Sequence, residues 1–99
     1  MSEIRIGIVL YPGVQLSAGM GLTDLFYVAG QAAAEKGSPR LQVHDIHPNV
    51  PAESAAAVPC DVLILPPSLQ RPIQPDAAAS LADWLRKRHG EGTVLASVC

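Results

Sequence analysis

Two thiols, Cys60 and Cys99, are the candidate soft nucleophiles of this chain. Cys99 follows Thr93-Val94-Leu95-Ala96-Ser97-Val98, an apolar run with the composition of a strand. A thiol at the carboxyl end of a buried strand is placed for attack when a sharp turn and a helix follow it. A helix N-terminus or a cationic neighbour then favours the thiolate, and the backbone N–H after the cysteine holds an oxyanion. The competing reading is packing, because cysteine without a partner is among the most buried residue types and behaves as a small hydrophobe. The residues by themselves leave both readings open.

The remaining candidates point away from metal, nucleotide and nucleic acid. Neither cysteine sits in a Cys-x-x-Cys spacing or a His/Cys array, so no metal site and no disulfide framework is expected. His44 and His47 lie three apart on a predicted strand, where alternation sends them to opposite faces as surface or edge residues. Gly13, Gly19 and Gly21 have the wrong spacing for a dinucleotide-binding turn, and no acidic residue closes a second strand for a ribose, so no cofactor is expected. Arg86-Lys87-Arg88-His89 reads as a solvated last helical turn complementing the helix dipole.

The elements that must position these residues alternate. Ile4 to Leu10 reads as a strand covered on both faces, ended by Pro12-Gly13. Leu22, Leu25, Phe26, Ala29 and Ala33 recur at helical spacing, which predicts a helix from about Gly21 to Glu35, stopped by Gly37 and Pro39. Leu41 to His47 reads as a more polar edge strand, and 48–59 as a connection with a short strand at Ala56 to Val58. Asp61 to Leu65 reads as a buried strand closed by Pro66-Pro67. A helix follows from an Asp76 N-cap to about His89, striped by Leu81, Trp84, Leu85 and Arg88, with Gly90 and Gly92 as its exit. Thr93 to Val98 is the last strand, and the order β-α-β-β-α-β predicts an α/β fold with a mostly parallel sheet and helices on both faces.

Bulk properties fit one small domain: 99 residues, 48% hydrophobic and 16% charged, with a formal net charge of -2 that offers no basic field to phosphates. The N-terminus lacks a basic region followed by a long apolar one, and no apolar run has the length of a membrane helix. These features predict a cytoplasmic protein with no membrane contact.

Ile6-Gly7-Ile8-Val9-Leu10-Tyr11-Pro12-Gly13-Val14, the helix after Gly21, Asp61-Val62-Leu63-Ile64-Leu65-Pro66 and Ala96-Ser97-Val98-Cys99 together resemble the ThiJ/PfpI family, the cysteine branch of the type 1 glutamine amidotransferase-like fold. More narrowly, Leu10 to Leu16, Leu63 to Leu69 and Thr93 to Cys99 are similar to the amino-terminal domain of AraC/XylS-type transcriptional regulators. The resemblance implies a flavodoxin-like sheet, of which residues 1–99 form the amino-terminal part, truncated at the nucleophile elbow. It also implies a homodimer. In the family's enzymes a carboxylic acid from the first strand-helix connection bonds to the elbow cysteine. Aligning Gly21 on the family's glycine puts Ala18 where that acid belongs, and Pro67, which has no N–H, leaves Ser68 as the backbone donor of the neighbouring loop.

The resemblance therefore implies a domain that senses a small-molecule effector beside Cys99, Ser68 and a loop over Val14 to Ala18 that includes Gln15 and Ser17. DNA would be bound only through helices outside these residues. The alternative is a cysteine-dependent hydrolase or hydratase, similar to isocyanide hydratase, with Cys99 as nucleophile. A third reading is an interaction module that uses the fold to dimerise.

Overall fold

A computed structural model describes residues 3–48, 59–69 and 73–98. Their order is β1 (Glu3–Val9), α1 (Leu16–Glu35), β2 (Arg40–Ile46), β3 (Val62–Leu65), α2 (Pro75–Gly90) and β4 (Val94–Ser97). The strands form one four-stranded sheet in the order β2-β1-β3-β4, with every pair parallel. The short strand expected at Ala56 to Val58 lies outside the described residues.

β1 is the axis of the fold. Ile8 and Val9 are both 0% exposed although consecutive strand residues point to opposite faces, so β1 is covered on both sides. On one face Ile6, Ile8, Leu10 and Ile64 pack with Leu22 and Phe26 of α1 and with Leu41 and Val43 of β2. On the other, Val9, Tyr11, Ile46 and Leu63 pack with Leu81, Trp84 and Leu85 of α2. Each such fully buried aliphatic side chain contributes about 1.5–3 kcal/mol. Leu22, Phe26, Leu81, Trp84 and Leu85 of the helical stripes read from the sequence thus cover the sheet, whereas Leu25, read into the same stripe, is 58% exposed because it lies on the flank of α1 beyond the packed face.

Asp61 fastens the amino ends of the strands. Its carboxylate accepts the Arg5 N–H at 2.8 Å, its own N–H donates to the Arg5 carbonyl at 2.8 Å, and its carbonyl accepts the Val94 N–H at 2.9 Å. One residue therefore ties β3 to both neighbours. Thr93, buried, adds a hydroxyl donation to the Cys60 carbonyl at 2.9 Å.

Two helix starts and the setting of one side chain differ from the sequence reading. α1 begins at Leu16 rather than near Gly21, because Gly19 is its buried residue, facing Leu10 and Pro66, and is not part of a loop. α2 is capped at Gln74 with Pro75 opening the helix, so Asp76 lies in the first turn, where its charge complements the dipole. Proline's fixed φ and missing N–H suit the first helical position, which moves the start two residues earlier. Arg88, read as part of a solvated turn, is half-buried: it lies 5.6 Å from the Trp84 ring centroid and pairs with Glu91 at 3.0 Å.

β4 is an edge strand of this sheet, and it differs from β1 in burial. Val94 is 59% and Leu95 37% exposed, so the last strand is apolar but uncovered. The sequence reading anticipated a buried strand here, since an apolar composition alone does not distinguish a central position from an edge.

Gly7 allows the close approach on which the α2 face depends. A Cβ there would lie 2.6 Å from Leu63 Cδ2, 3.0 Å from Cys60 Sγ and 3.0 Å from Ile46 Cγ1. Gly7→Ala should therefore lower stability by about 1–3 kcal/mol through overpacking, measured by urea unfolding. Gly21→Ala meets nothing within 4 Å inside α1 and should raise stability by roughly 0.5–1 kcal/mol. Equal effects of the two substitutions would contradict this account of the packing.

Candidate functional site at the carboxyl ends of the strands

The connection from β1 leads to β2 on one side, while the connection from β3 leads to β4 on the other. The loops leaving β1 and β3 therefore diverge from adjacent strand ends, the arrangement at which open α/β sheets form their binding crevice. The segments meeting here are Tyr11 to Gln15, Pro66 to Leu69 and the end of β4.

Tyr-Pro-Gly ends β1 with a turn in which Gly13 adopts φ 88° and the Val14 N–H donates to the Tyr11 carbonyl at 3.1 Å. A Cβ at Gly13 would touch nothing within 4 Å, so the glycine is required by its backbone conformation. The chain then pairs antiparallel with the loop after β3 through a bridge between Val14 and Ser68. Gln15 N–H donates to the Pro67 carbonyl and Leu69 N–H to the Gly13 carbonyl, each at 2.9 Å. Beneath this bridge the buried Tyr11 hydroxyl donates to the Pro66 carbonyl. Burial raises the Tyr11 hydroxyl above its ordinary pKa of 10.0, keeping it a proton donor.

The two bonds flank the Val14–Ser68 pair instead of joining it. In that antiparallel geometry the N–H of each paired residue points away from its partner. Val14 spends its N–H on Tyr11, whereas the Ser68 N–H is directed away from the Val14 segment, and the Ser68 side chain is exposed. On the far side of β3, the Val98 N–H donates to the Leu65 carbonyl at 2.9 Å, so the end of β4 runs beside the start of the Pro66 loop. Cys99 itself lies outside the described residues.

Gln15 is the N-cap of α1, but no side chain caps the helix; the Gln15 amide donates instead to the Ser17 hydroxyl at 3.3 Å. Ser17, exposed, and Ala18, half-buried, lie in the first helical turn. The loop expected over Val14 to Ala18 is therefore shorter, because the Ala18 and Gly19 N–H groups already bond to the Gln15 carbonyl. The first turn of α1 contains no acidic residue.

The sequence-predicted residues Gln15, Ser17, Ala18 and Ser68 are thus all on segments at one end of the sheet. Tyr11 was missed as a site residue; its signal is a hydroxyl-bearing aromatic closing an otherwise aliphatic strand. Cys60 is at the opposite end, beside Asp61 and Arg5. Burial, and secondarily the Asp61 carboxylate, push its thiol upward against weaker opposing effects of Arg5 and Arg88, so it is held as a neutral thiol. His44 is half-buried on β2, whereas His47 is exposed just beyond that strand, so they do not form a joint site. Among the described residues no cluster of His, Cys, Asp or Glu is arranged to hold a metal ion, and no helix is long and apolar enough to cross a membrane.

No family model, curated protein or solved structure matches this chain.

Tyr11→Phe removes the donor to a buried carbonyl and should destabilise the protein by about 1–3 kcal/mol. Because the folded-state pKa of Tyr11 is raised, an unfolded tyrosine loses its proton first as the pH climbs. The resulting stabilisation is intact below the ordinary value of 10.0 and is lost as pH rises through the folded pKa. Urea unfolding on the alkaline side should therefore show a shallower loss of stability in Tyr11→Phe than in the wild type. Parallel pH profiles would contradict this role.

Proposed function

We propose that this chain belongs to a ThiJ/PfpI-like domain that senses a small-molecule effector as part of an AraC-family, cytoplasmic transcriptional regulator. The effector binds at the carboxyl ends of β1 and β3, against Gln15, Ser17, Ala18 and Ser68. DNA is contacted by helices outside these residues. The observation that carries the reading is Ala18 in an acid-free first turn of α1: the resemblance calls for a carboxylic acid at this position, and a methyl group cannot tune a thiol. The segments that meet at these strand ends carry hydroxyls, an amide and the Ser68 N–H, a neutral set suited to recognising a polar metabolite.

A cysteine-dependent hydrolase or hydratase is the second reading, favoured by the direction of the Ser68 N–H. A backbone donor aimed away from its own bridge is the type of group from which oxyanion holes are built. In that reading Cys99 attacks the substrate carbon, and its activation comes from a group other than residue 18.

Iodoacetamide labelling near neutral pH, followed by mass spectrometry of the Cys60 and Cys99 peptides, separates the two. Sensing predicts that Cys99 is alkylated no faster than an ordinary peptide thiol. Rapid stoichiometric labelling of Cys99, with turnover abolished in Cys99→Ser, would establish the enzyme instead. The sensing reading further requires the gene to encode a helix-turn-helix pair after this domain; a gene that ends with the domain would overturn it.

A further inference from the structure

β2 is an edge of the sheet, and its outer side has no partner strand among the described residues. The Ile46 carbonyl accepts the Leu10 N–H at 2.8 Å, so Ile46 turns its backbone groups towards β1. Successive strand residues alternate in this respect, which directs the N–H and C=O groups of Leu41 and Val43 outward. Natural sheets blunt such edges with short strands, bulges, proline or lysine. β4, the opposite edge, has four residues, whereas β2 has seven in unbroken register with β1 and contains neither proline nor lysine.

α1 approaches this edge without closing it. A Cβ at Gly30 would lie 3.3 Å from the Leu41 carbonyl oxygen, closer than side chains ordinarily pack, so glycine lets the helix come near the strand. Beside that contact a groove of about 450 Å³ remains, lined by Tyr27, Gln31 and Ala34 of α1 and by residues 40–44 of β2. That volume falls within the roughly 300–1,000 Å³ of ligand pockets. One wall is continuous strand backbone, which an extended chain complements and a compact metabolite does not.

The two sides of the groove differ in chemistry. Leu41 and Val43 belong to the face packed under α1, where Tyr27, Gly30 and Ala34 add aromatic and small surface. Arg40, Gln42 and His44 alternate onto the opposite face. Arg40 is exposed and makes no ion pair among the described residues; Glu3, its register partner on β1, lies 3.8 Å from Arg5 instead. Asp45 is on the α1 face, where its carboxylate accepts the Thr23 hydroxyl at 2.8 Å. The groove lining therefore includes a cation and no carboxylate.

We infer that the outer edge of β2 is a docking site for an extended acidic peptide, which adds to the four-stranded sheet with apolar side chains directed to α1 and carboxylates beside Arg40. Backbone bonds to Leu41 and Val43 hold the peptide, and the pleat sets its pattern, apolar and acidic residues in turn. The site shares no residue with the carboxyl-end segments and does not depend on what they bind.

Fluorescence anisotropy with an end-blocked, labelled heptapeptide alternating valine and glutamate tests the inference on the purified protein. Saturable binding is expected, with amide chemical shifts moving at Leu41 and Val43. Arg40→Gln, at an exposed position, should weaken binding of this peptide by about threefold while leaving that of a valine and glutamine peptide unchanged. Methylating alternate backbone nitrogens of the peptide, on its hydrogen-bonding side, should abolish binding. No binding up to millimolar peptide concentrations would overturn the inference. So would equal binding of the N-methylated peptide, an unchanged affinity in Arg40→Gln, or shifts centred on other residues. Leu41 and Val43 amides that shift on dilution of the protein and not on peptide addition would assign the edge to a second copy instead.

Discussion

The carboxyl end of this molecule depends on the bridge between the chain leaving β1 and the chain leaving β3. Parallel strands have no tight turn to connect them, so adjacent strand ends must be fixed by whatever their loops can form. Here Val14 and Ser68 pair antiparallel, two backbone bonds close around them, and the Tyr11 hydroxyl holds the Pro66 carbonyl from below. Proline dictates much of this geometry. Pro66 and Pro67 contribute carbonyls but no N–H groups, so the loop after β3 accepts from Tyr11 and Gln15 and donates back at Leu69. The same bridge that orders the loops directs the Ser68 N–H away from the Val14 segment.

Opposite faces of β1 connect that bridge to the rest of the fold. Leu10 is buried against the α1 side and Tyr11 against the α2 side, so the two helices are packed against consecutive residues at the end of one strand. α1 starts directly after the bridge at Gln15, and Gly19 lets its second turn lie against Leu10 and Pro66. The positions of Ser17 and Ala18 thus follow from core packing. A residue at position 18 is held near the strand ends whatever its chemistry, which is why the absence of a carboxylate there bears on function.

Much of this was legible in the sequence. The consecutive aliphatic residues of β1, the spacing of Leu22 and Phe26, and the stripe of Leu81, Trp84 and Leu85 report burial periodicity directly, and the α/β order followed from them. Local signals misled where tertiary packing reassigns a residue. Gly19 read as loop and Gly21 as the start of the helix, but the first allows close helix packing, and both lie inside α1. Asp76 has the chemistry of a cap, yet Pro75 begins the helix before it. Arg88 reads as solvated until its guanidinium is placed over the Trp84 ring. The exposure of β4 and of Leu25 in α1 was not legible, because hydrophobic composition does not say whether a covering surface belongs to the same fold. The candidate site was readable as a set of residues, whereas the hydroxyl tie from Tyr11 needed three dimensions.

The two ends of the sheet have different chemical characters. The amino end carries Asp61 between Arg5 and a thiol held neutral by burial, and its polar groups are engaged in fastening strands. The carboxyl end presents Gln15, Ser17 and Ser68 without an acid in the adjoining helical turn. Backbone amide chemical shifts, followed by NMR while the protein is titrated with pools of small polar metabolites, test most directly whether that carboxyl end is a binding site. Binding there predicts shifts concentrated at Gln15, Ser17, Ala18 and Ser68, with the amides of Cys60 and Asp61 unchanged. Shifts centred on Cys60 and Asp61, or none at the carboxyl end with any pool, would contradict it.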